Sequence, residues 1–199
     1  MKPLTFVLAS KNQKKLAEMQ KILGDMGIQV LSQAQAGVDL EPEETGETFE
    51  ENAVIKARAV CEASGLPAIA DDSGLMVDAL DGAPGVHSAR YGGSHDLSDE
   101  YRWKLLLQNM EDTEQRAAKY VSVIAAVFPD GRVLTARGEC QGEIALAPRG
   151  DGGFGYDPIF RLPDGRHMAE IDLVEKNRIS HRALALEEMR KTLTELFAE

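Results

Sequence analysis

The sequence predicts an α/β protein: a central, mixed and twisted β-sheet flanked by helices. Two observations lead there. Short apolar runs alternate with helical stripes through the first half of the chain, and a long strand-turn-strand hairpin dominates the second. The alternation calls for parallel strands and the hairpin for antiparallel ones, so the sheet is expected to be mixed. The 199 residues, 43% apolar and 28% charged, suffice for a sizeable core. No repeat, low-complexity segment or long linker divides them, and residues 1–199 read as a single domain with two lobes around a cleft.

The elements follow in order. Leu4 to Ala9 reads as a buried strand ending at Ser10, and Leu16, Met19, Leu23 and Met26 repeat at helical spacing before a terminating Gly27. Gln29 to Leu31 suits a second strand, and an acidic loop runs from Ala34 to Glu47. Thr48 and Glu51 form a capping box ahead of the stripe Phe49, Ala53, Ala57, Val60, Cys61, which Gly65 and Pro67 close. Ala68 to Ala70 and Leu75 to Val77 read as two short strands on either side of Asp71, Asp72, Ser73 and Gly74. Ser98 or Asp96 caps a helix to about Met110, and Lys119 to Phe128 pairs with Arg132 to Glu139 across the Pro129, Asp130, Gly131 turn. Ile159 to Leu162 is a last short strand, and Ser180 caps a final helix with the stripe Leu186, Met189, Leu193, Leu196.

Composition narrows the function. A net charge of -11 argues against a general nucleic-acid surface, which needs clustered Lys and Arg. Leu4 to Ala9 is too short to span a bilayer and lacks a secretory cleavage pattern, so a cytoplasmic protein without membrane association is expected. Cys61 and Cys140 have neither disulfide-framework nor zinc-site spacing. An acidic chain can still bind a polyanion locally, through a basic pocket, a divalent cation or both.

Candidates for both are present. Ser10, Lys11, Asn12, Gln13, Lys14 and Lys15 lie where a strand hands over to a helix, where backbone N–H groups and the positive end of the dipole favour anions. A solvated lysine run would look the same, and no Walker A loop occurs in the chain. Asp71 and Asp72 at a strand end suit magnesium, which takes oxygen ligands and bridges to phosphates, and Glu43 and Glu44 could complete the shell. An Asp pair capping a turn is the plainer alternative. Gly150 to Gly155 formally matches a dinucleotide fingerprint but leads into Tyr156, Asp157 and Pro158 rather than a helix. Its glycines are instead expected to expose Phe154 and Tyr156, surfaces on which a flat base can stack. Lys176, His181 and Arg182 gather around the last helix start as donors for a carbonyl or an anion.

Seven segments in order, A-S-K-N-Q-K-K (9–15), E-E-T-G (43–46), E-N-A-V-I-K-A (51–57), A-D-D-S-G-L (70–75), G-A-P-G-V-H-S-A-R-Y (82–91), G-F-G-Y-D-P (153–158) and S-H-R (180–182), resemble the inosine triphosphate pyrophosphatase family over nearly the whole chain. The resemblance implies an elongated two-lobed α/β fold with the active site in the cleft, a homodimer, and magnesium-dependent cleavage of deaminated purine nucleoside triphosphates (ITP, dITP, XTP) to monophosphate and pyrophosphate. It implies that Ser10 to Lys15 cradle the triphosphate, with Lys15 stabilising the departing pyrophosphate, and that Asp72 binds metal with Glu43 or Glu44. Asp72 or Asp71 would orient or deprotonate water. Lys56, Ser73, Phe154, Gly155, Tyr156, Asp157, Lys176, His181 and Arg182 would contact the nucleotide. The family's usual Thr-Gly-Asn start is Ser10, Lys11, Asn12 here. A related pyrophosphatase of the septum-formation type, with other base preference, and a non-catalytic nucleotide sensor stay open as alternatives.

Overall fold

The computed structural model describes residues 4–198. The chain runs β1 (Thr5–Leu8), α1 (Gln13–Gly24), β2 (Gln29–Leu31), α2 (Phe49–Ser64), β3 (Ala68–Val77), α3 (Asp99–Asn109), β4 (Ala117–Val127), β5 (Val133–Ile144), β6 (Phe160–Arg161), α4 (Leu173–Ile179) and α5 (His181–Ala198), with short 3₁₀ turns between. Local signals fix several boundaries. The Thr48 hydroxyl accepts from Glu51 N–H while Glu51 reaches back to the Thr48 N–H, a complete capping box for α2. Gly65 closes that helix in the left-handed region, at φ 68°. Ser98, rather than Asp96, caps α3.

Six strands form one sheet in the order β2-β1-β3-β4-β5-β6. β1 is parallel to both β2 and β3, whereas β5 and β6 are antiparallel, so the sheet is mixed as expected. The chain passes from β1 through α1 to β2 on one side, then through α2 to β3 on the other. Right-handed crossovers in opposite directions place α1 and α2 on opposite faces and make the β1/β3 junction the point where strand order reverses. Ligands of open α/β sheets bind outside the carboxyl ends of strands at such a point.

Three expectations are corrected. β3 is one continuous strand, not two runs broken at Asp71–Gly74: it lies between β1 and β4, and its place in the sheet overrides the low strand propensity of Asp, Ser and Gly. Asp71 and Asp72 therefore stand within a strand. The β1 register ends with Leu8 opposite Ile69, and the last bond is from Ala9 N–H to Ile69 C=O, so the two aspartates project from the part of β3 that runs past the end of β1. The last strand shortens to two residues because Asp157–Ile159 forms a 3₁₀ turn. Finally, α4 was not anticipated; none of its residues is buried, so it has no apolar stripe to read.

The chain divides into two compact units, one holding the residues up to Asp72, Ser122–Gly138 and those from Ala185 on, the other Ser73–Val121 and Glu139–Leu184. The first has a core of Phe6, Leu8, Met19, Leu23, Ile69, Ile124, Leu186, Met189 and Leu193, with Phe6 edge-on to Phe128. The second is built on Leu75, Val77, Leu106, Tyr120, Ile144, Ile159 and Phe160. Leu186 is fully buried while Leu184, two residues earlier, is 42% exposed. Leu186→Ala should cost roughly 2–5 kcal/mol, and Leu184→Ala well under about 1 kcal/mol. Thermal melts of the two variants check this, and equal shifts would contradict the placement of α5.

Candidate active site

The residues expected to meet a polyanion are assembled within the first unit. The turn after β1 is set by Asn12, whose side chain accepts from the N–H of Lys14 at 2.9 Å and of Lys15 at 3.2 Å as the N-cap of α1. Ser10 supports it by accepting from Asn12 N–H at 3.2 Å. Two of the N–H groups expected to face an anion are thus capped internally. Lys11 is tied outward to Asp39 at 2.8 Å, while Gln13 and Lys14 are exposed on the first turn of α1. Lys15 points to the overhang of β3, its ammonium 3.0 Å from Asp71 Oδ1.

Successive side chains on a strand face opposite ways, and Asp71 and Asp72 divide accordingly. Asp71 pairs with Lys15 of α1, and Asp72 with Lys56 of α2. Lys56 Nζ donates to Glu44 Oε1 at 3.0 Å, to the Asp71 carbonyl at 2.7 Å and to Asp72 Oδ1 at 3.3 Å. The acidic loop reaches this point because α2 holds it: the fully buried Asn52 accepts from Gly46 N–H at 2.7 Å, and Glu51 accepts from Glu47 N–H. A side chain at position 46 would stand 2.7 Å from Asn52 Oδ1, so only glycine fits there. Of the two candidate glutamates, Glu44 is half-buried in this cluster and Glu43 is exposed.

The electrostatics of the cluster are uneven. Burial pulls the Lys56 ammonium toward neutrality, but Asp72, Asp71 and Glu44 outweigh it and hold its pKa above the ordinary value. Burial pushes the Asp72 carboxyl up to about 6; Lys56 opposes this and Glu44 adds to it. Asp72 Oδ2 is buried and forms no hydrogen bond of good geometry among the described residues, although the Asn52 amide is near enough to ease the carboxylate charge. A buried carboxylate oxygen so weakly served is costly unless something else supplies charge.

Oxygen donors of this kind suit a hard divalent cation. Among the described residues no group of three or more metal-binding side chains occurs. Magnesium commonly uses one or two carboxylates and takes its remaining ligands from water and substrate phosphates, so Asp72 and Glu44 fit that ion.

A second constellation is built within the other unit, around Asp157, which is 3% exposed. Its Oδ1 accepts from the Tyr120 hydroxyl at 2.9 Å, and its Oδ2 accepts from Phe154 N–H at 3.0 Å and from Lys176 Nζ at 2.5 Å. The Lys176 ammonium also lies over the Phe154 ring, 4.4 Å from its centroid. Gly153 is required for the approach, since a Cβ there would meet the Asp157 carboxylate at 2.0 Å. Asp99 accepts from Gly155 N–H at 2.8 Å and pins the loop to α3. His181 stacks on Tyr120, ring centroids 4.9 Å apart and 14° from parallel, with the half-buried Arg182 beside it in sequence.

Phe154 is 63% exposed, as a stacking surface must be, but Tyr156 is not: it is 4% exposed, and its hydroxyl donates to the Ser88 carbonyl at 2.7 Å. The Gly-rich loop turns Tyr156 into the core of its unit, and Asp157 supports its neighbours from within. Ser73 is half-buried on β3 beside Asp72 in sequence. Asn52, Asp99 and Tyr120 were missed. Asn52 had left a trace, as the one polar residue among the buried positions of α2 and one helical turn before Lys56.

A sequence model of the Ham1 family matches residues 6–192. The chain belongs to the Ham1 family. Among curated relatives, the dITP/XTP pyrophosphatase of Symbiobacterium thermophilum is 52% identical over 97% of this chain and 96% of its own. That of Coxiella burnetii is 49% identical over 98% of both. The solved structure of a HAM1 protein from Coxiella burnetii superposes with a TM-score of 0.91 at 48% identity, covering 96% of this chain and 99% of that one. The Staphylococcus aureus Ham1 protein gives a TM-score of 0.91 at 40% identity, again over 96% and 99%. The six-stranded mixed sheet with flanking helices is thus the Ham1 fold.

The raised pKa of Asp72 has a consequence for stability. In the metal-free protein the folded state keeps a proton up to about pH 6 that the unfolded chain releases near its ordinary value of 3.8. This contribution is therefore fully present below 3.8 and lost as pH rises through 6. Asp72→Asn, which mimics the protonated form, should melt at about the same temperature as the parent at pH 4. At pH 7.5 it should be more stable by about 1–3 kcal/mol, roughly 3–10 °C. A variant less stable than the parent at pH 7.5 in chelator would show that Asp72 is not an electrostatically strained group.

Proposed function

We propose that this Ham1 chain hydrolyses deaminated purine nucleoside triphosphates, ITP, dITP and XTP, to the nucleoside monophosphate and pyrophosphate. The observation that carries this reading is the buried Asp72, its Oδ2 without a hydrogen bond of good geometry among the described residues, grouped with Glu44 and Lys56 beside the β1/β3 switch point. Relatives with about half of their residues identical over nearly the whole chain bear the name dITP/XTP pyrophosphatase.

The phosphate-handling groups all belong to the first unit. Asp72 and Glu44 would hold magnesium, which when bound supplies charge neutralisation on the polyphosphate. Lys15 and Lys56, both already paired with carboxylates, give two cations that can turn to phosphate oxygens. Asp71, whose carboxylate is committed to Lys15, acts as the residue that holds that lysine. Asp72 would also orient the attacking water and accept its proton. Water attacks the α-phosphorus and pyrophosphate leaves intact, so the work is mostly positioning and electrostatics.

The base-handling groups belong to the second unit. Phe154 offers its exposed face to the purine, and Lys176, His181 and Arg182 present donors to an oxygen at the 6-position. Adenine carries an amino donor there and would leave donors facing donors. The enzyme acts as a homodimer on the cytoplasmic nucleotide pool. No helix among the described residues is long and apolar enough to cross a membrane.

Two assays test this. Hydrolysis of ITP in oxygen-18 water should place the label in the monophosphate, and label in orthophosphate as the first product would indicate stepwise terminal phosphatase chemistry. In a substrate panel with magnesium, kcat/KM for ITP and XTP should exceed that for ATP by about 10⁴ or more, as polar sites can achieve. Preference for pyrimidine or modified nucleotides would point to the septum-formation type, and binding without pyrophosphate release to a sensor.

A further inference from the structure

Tyr120 lies on β4, contributes to the core of the second unit and is 7% exposed. A phenylalanine would satisfy that core equally well by volume. The hydroxyl is therefore the feature to explain, since a buried hydroxyl must find a partner to offset its loss of water. It donates to Asp157 Oδ1 at 2.9 Å, and the same ring lies flat against His181 at 4.9 Å. Burial and the Asp157 charge together hold the phenol well above the usual tyrosine range, so it stays a donor throughout the working pH.

We infer that Tyr120 is the positioning residue of the base-reading site, orienting His181 through its ring and Lys176 through Asp157.

The division of labour at Asp157 makes the lysine sensitive to the tyrosine. Oδ1 is taken by Tyr120, and Oδ2 is left for Phe154 N–H and Lys176. That asymmetry keeps the Lys176 ammonium on one side of the carboxylate, 4.4 Å above the Phe154 ring. Without the hydroxyl, Oδ1 becomes a buried acceptor lacking its donor, and Lys176 is the cation already at hand to serve both oxygens. It would be drawn toward the carboxylate and away from the Phe154 face and the base edge. The flat contact between Tyr120 and His181 acts in parallel: it fixes the plane of the imidazole, and with it the directions in which its nitrogens can donate. One buried side chain thereby sets two donors that approach the base from different elements, α4 and α5.

This rests on the assignment of base reading to Lys176 and His181, and the test separates the two claims. Steady-state kinetics with ITP and ATP would be measured for the parent and for Tyr120→Phe, Tyr120→Leu, Lys176→Ala, His181→Ala and the Tyr120→Phe/Lys176→Ala pair. Tyr120→Phe keeps the stack and should raise KM for ITP roughly ten-fold, with kcat little changed and the preference over ATP reduced to match, as expected for loss of one hydrogen bond to a charged group. Tyr120→Leu should lose more, because His181 is freed as well. In the Lys176→Ala background Tyr120→Phe should add little, because the hydroxyl acts through the lysine. Asp157→Asn, which keeps the shape and weakens the hold on Lys176, should reproduce the KM effect and serves as a second variant. Should Tyr120→Phe and Asp157→Asn leave KM and selectivity at parent values while Lys176→Ala and His181→Ala lose them, Tyr120 is a core residue only and the inference is overturned. If Lys176→Ala and His181→Ala also leave selectivity unchanged, the base-reading assignment itself falls, and the role of Tyr120 with it.

Discussion

A single, largely buried ammonium organises the acidic cluster of the first unit. Lys56 projects from α2 onto β3, where it meets Glu44, the Asp71 carbonyl and Asp72. Taking a lysine and two carboxylates out of water is expensive unless each finds a partner, and the surrounding structure arranges those partners. The Thr48 capping box fixes where α2 begins. Asn52, one turn before Lys56, holds the backbone of the acidic loop, and that tether brings Glu44 within reach. The continuity of β3 past the end of β1 puts Asp72 on the side of α2 and Asp71 on the side of α1. Removing the lysine would take from Asp72 and Glu44 the cation they share.

The arrangement stops short of full compensation, and the shortfall is what gives it chemical potential. Asp72 keeps one oxygen without a hydrogen bond of good geometry among the described residues, and its pKa near 6 records a net cost of holding the charge there. A group in this state gains by acquiring a cation or a proton, which are the two things a phosphoanhydride hydrolase asks of a carboxylate. The constellation around Asp157 has the opposite character. Its carboxylate accepts from three donors and carries a paired lysine, so it is a fixed scaffold rather than a reactive group.

Much of this was legible in the sequence where short-range chemistry decides. Helical stripes located α1, α2 and α5, a capping residue located α3, the capping box marked the start of α2, and the Pro129–Gly131 turn marked the β4–β5 hairpin. The segment carrying Asp71 and Asp72 was found as a site, but its backbone was read as a turn, because Asp-Asp-Ser-Gly has turn chemistry and only its place in the sheet makes it a strand. Tyr156 was expected at the surface because it lies in a glycine-rich loop, yet the direction of a side chain there depends on a partner 68 residues away, the Ser88 carbonyl. The choice of Glu44 over Glu43 likewise turns on a contact with Lys56, which no local spacing encodes. Tyr120 gave no signal at all, since a tyrosine in a buried strand looks like any core aromatic.

The proposal on which the rest depends is that Asp72 and Glu44, held together by Lys56, bind magnesium. Its most direct test is the magnesium concentration that half-saturates ITP hydrolysis in the parent, Glu43→Gln and Glu44→Gln. Loss of one carboxylate ligand should raise that concentration at least ten-fold in Glu44→Gln, or about 1.4 kcal/mol, and leave Glu43→Gln at the parent value. A matching shift in Glu43→Gln with none in Glu44→Gln would contradict the account.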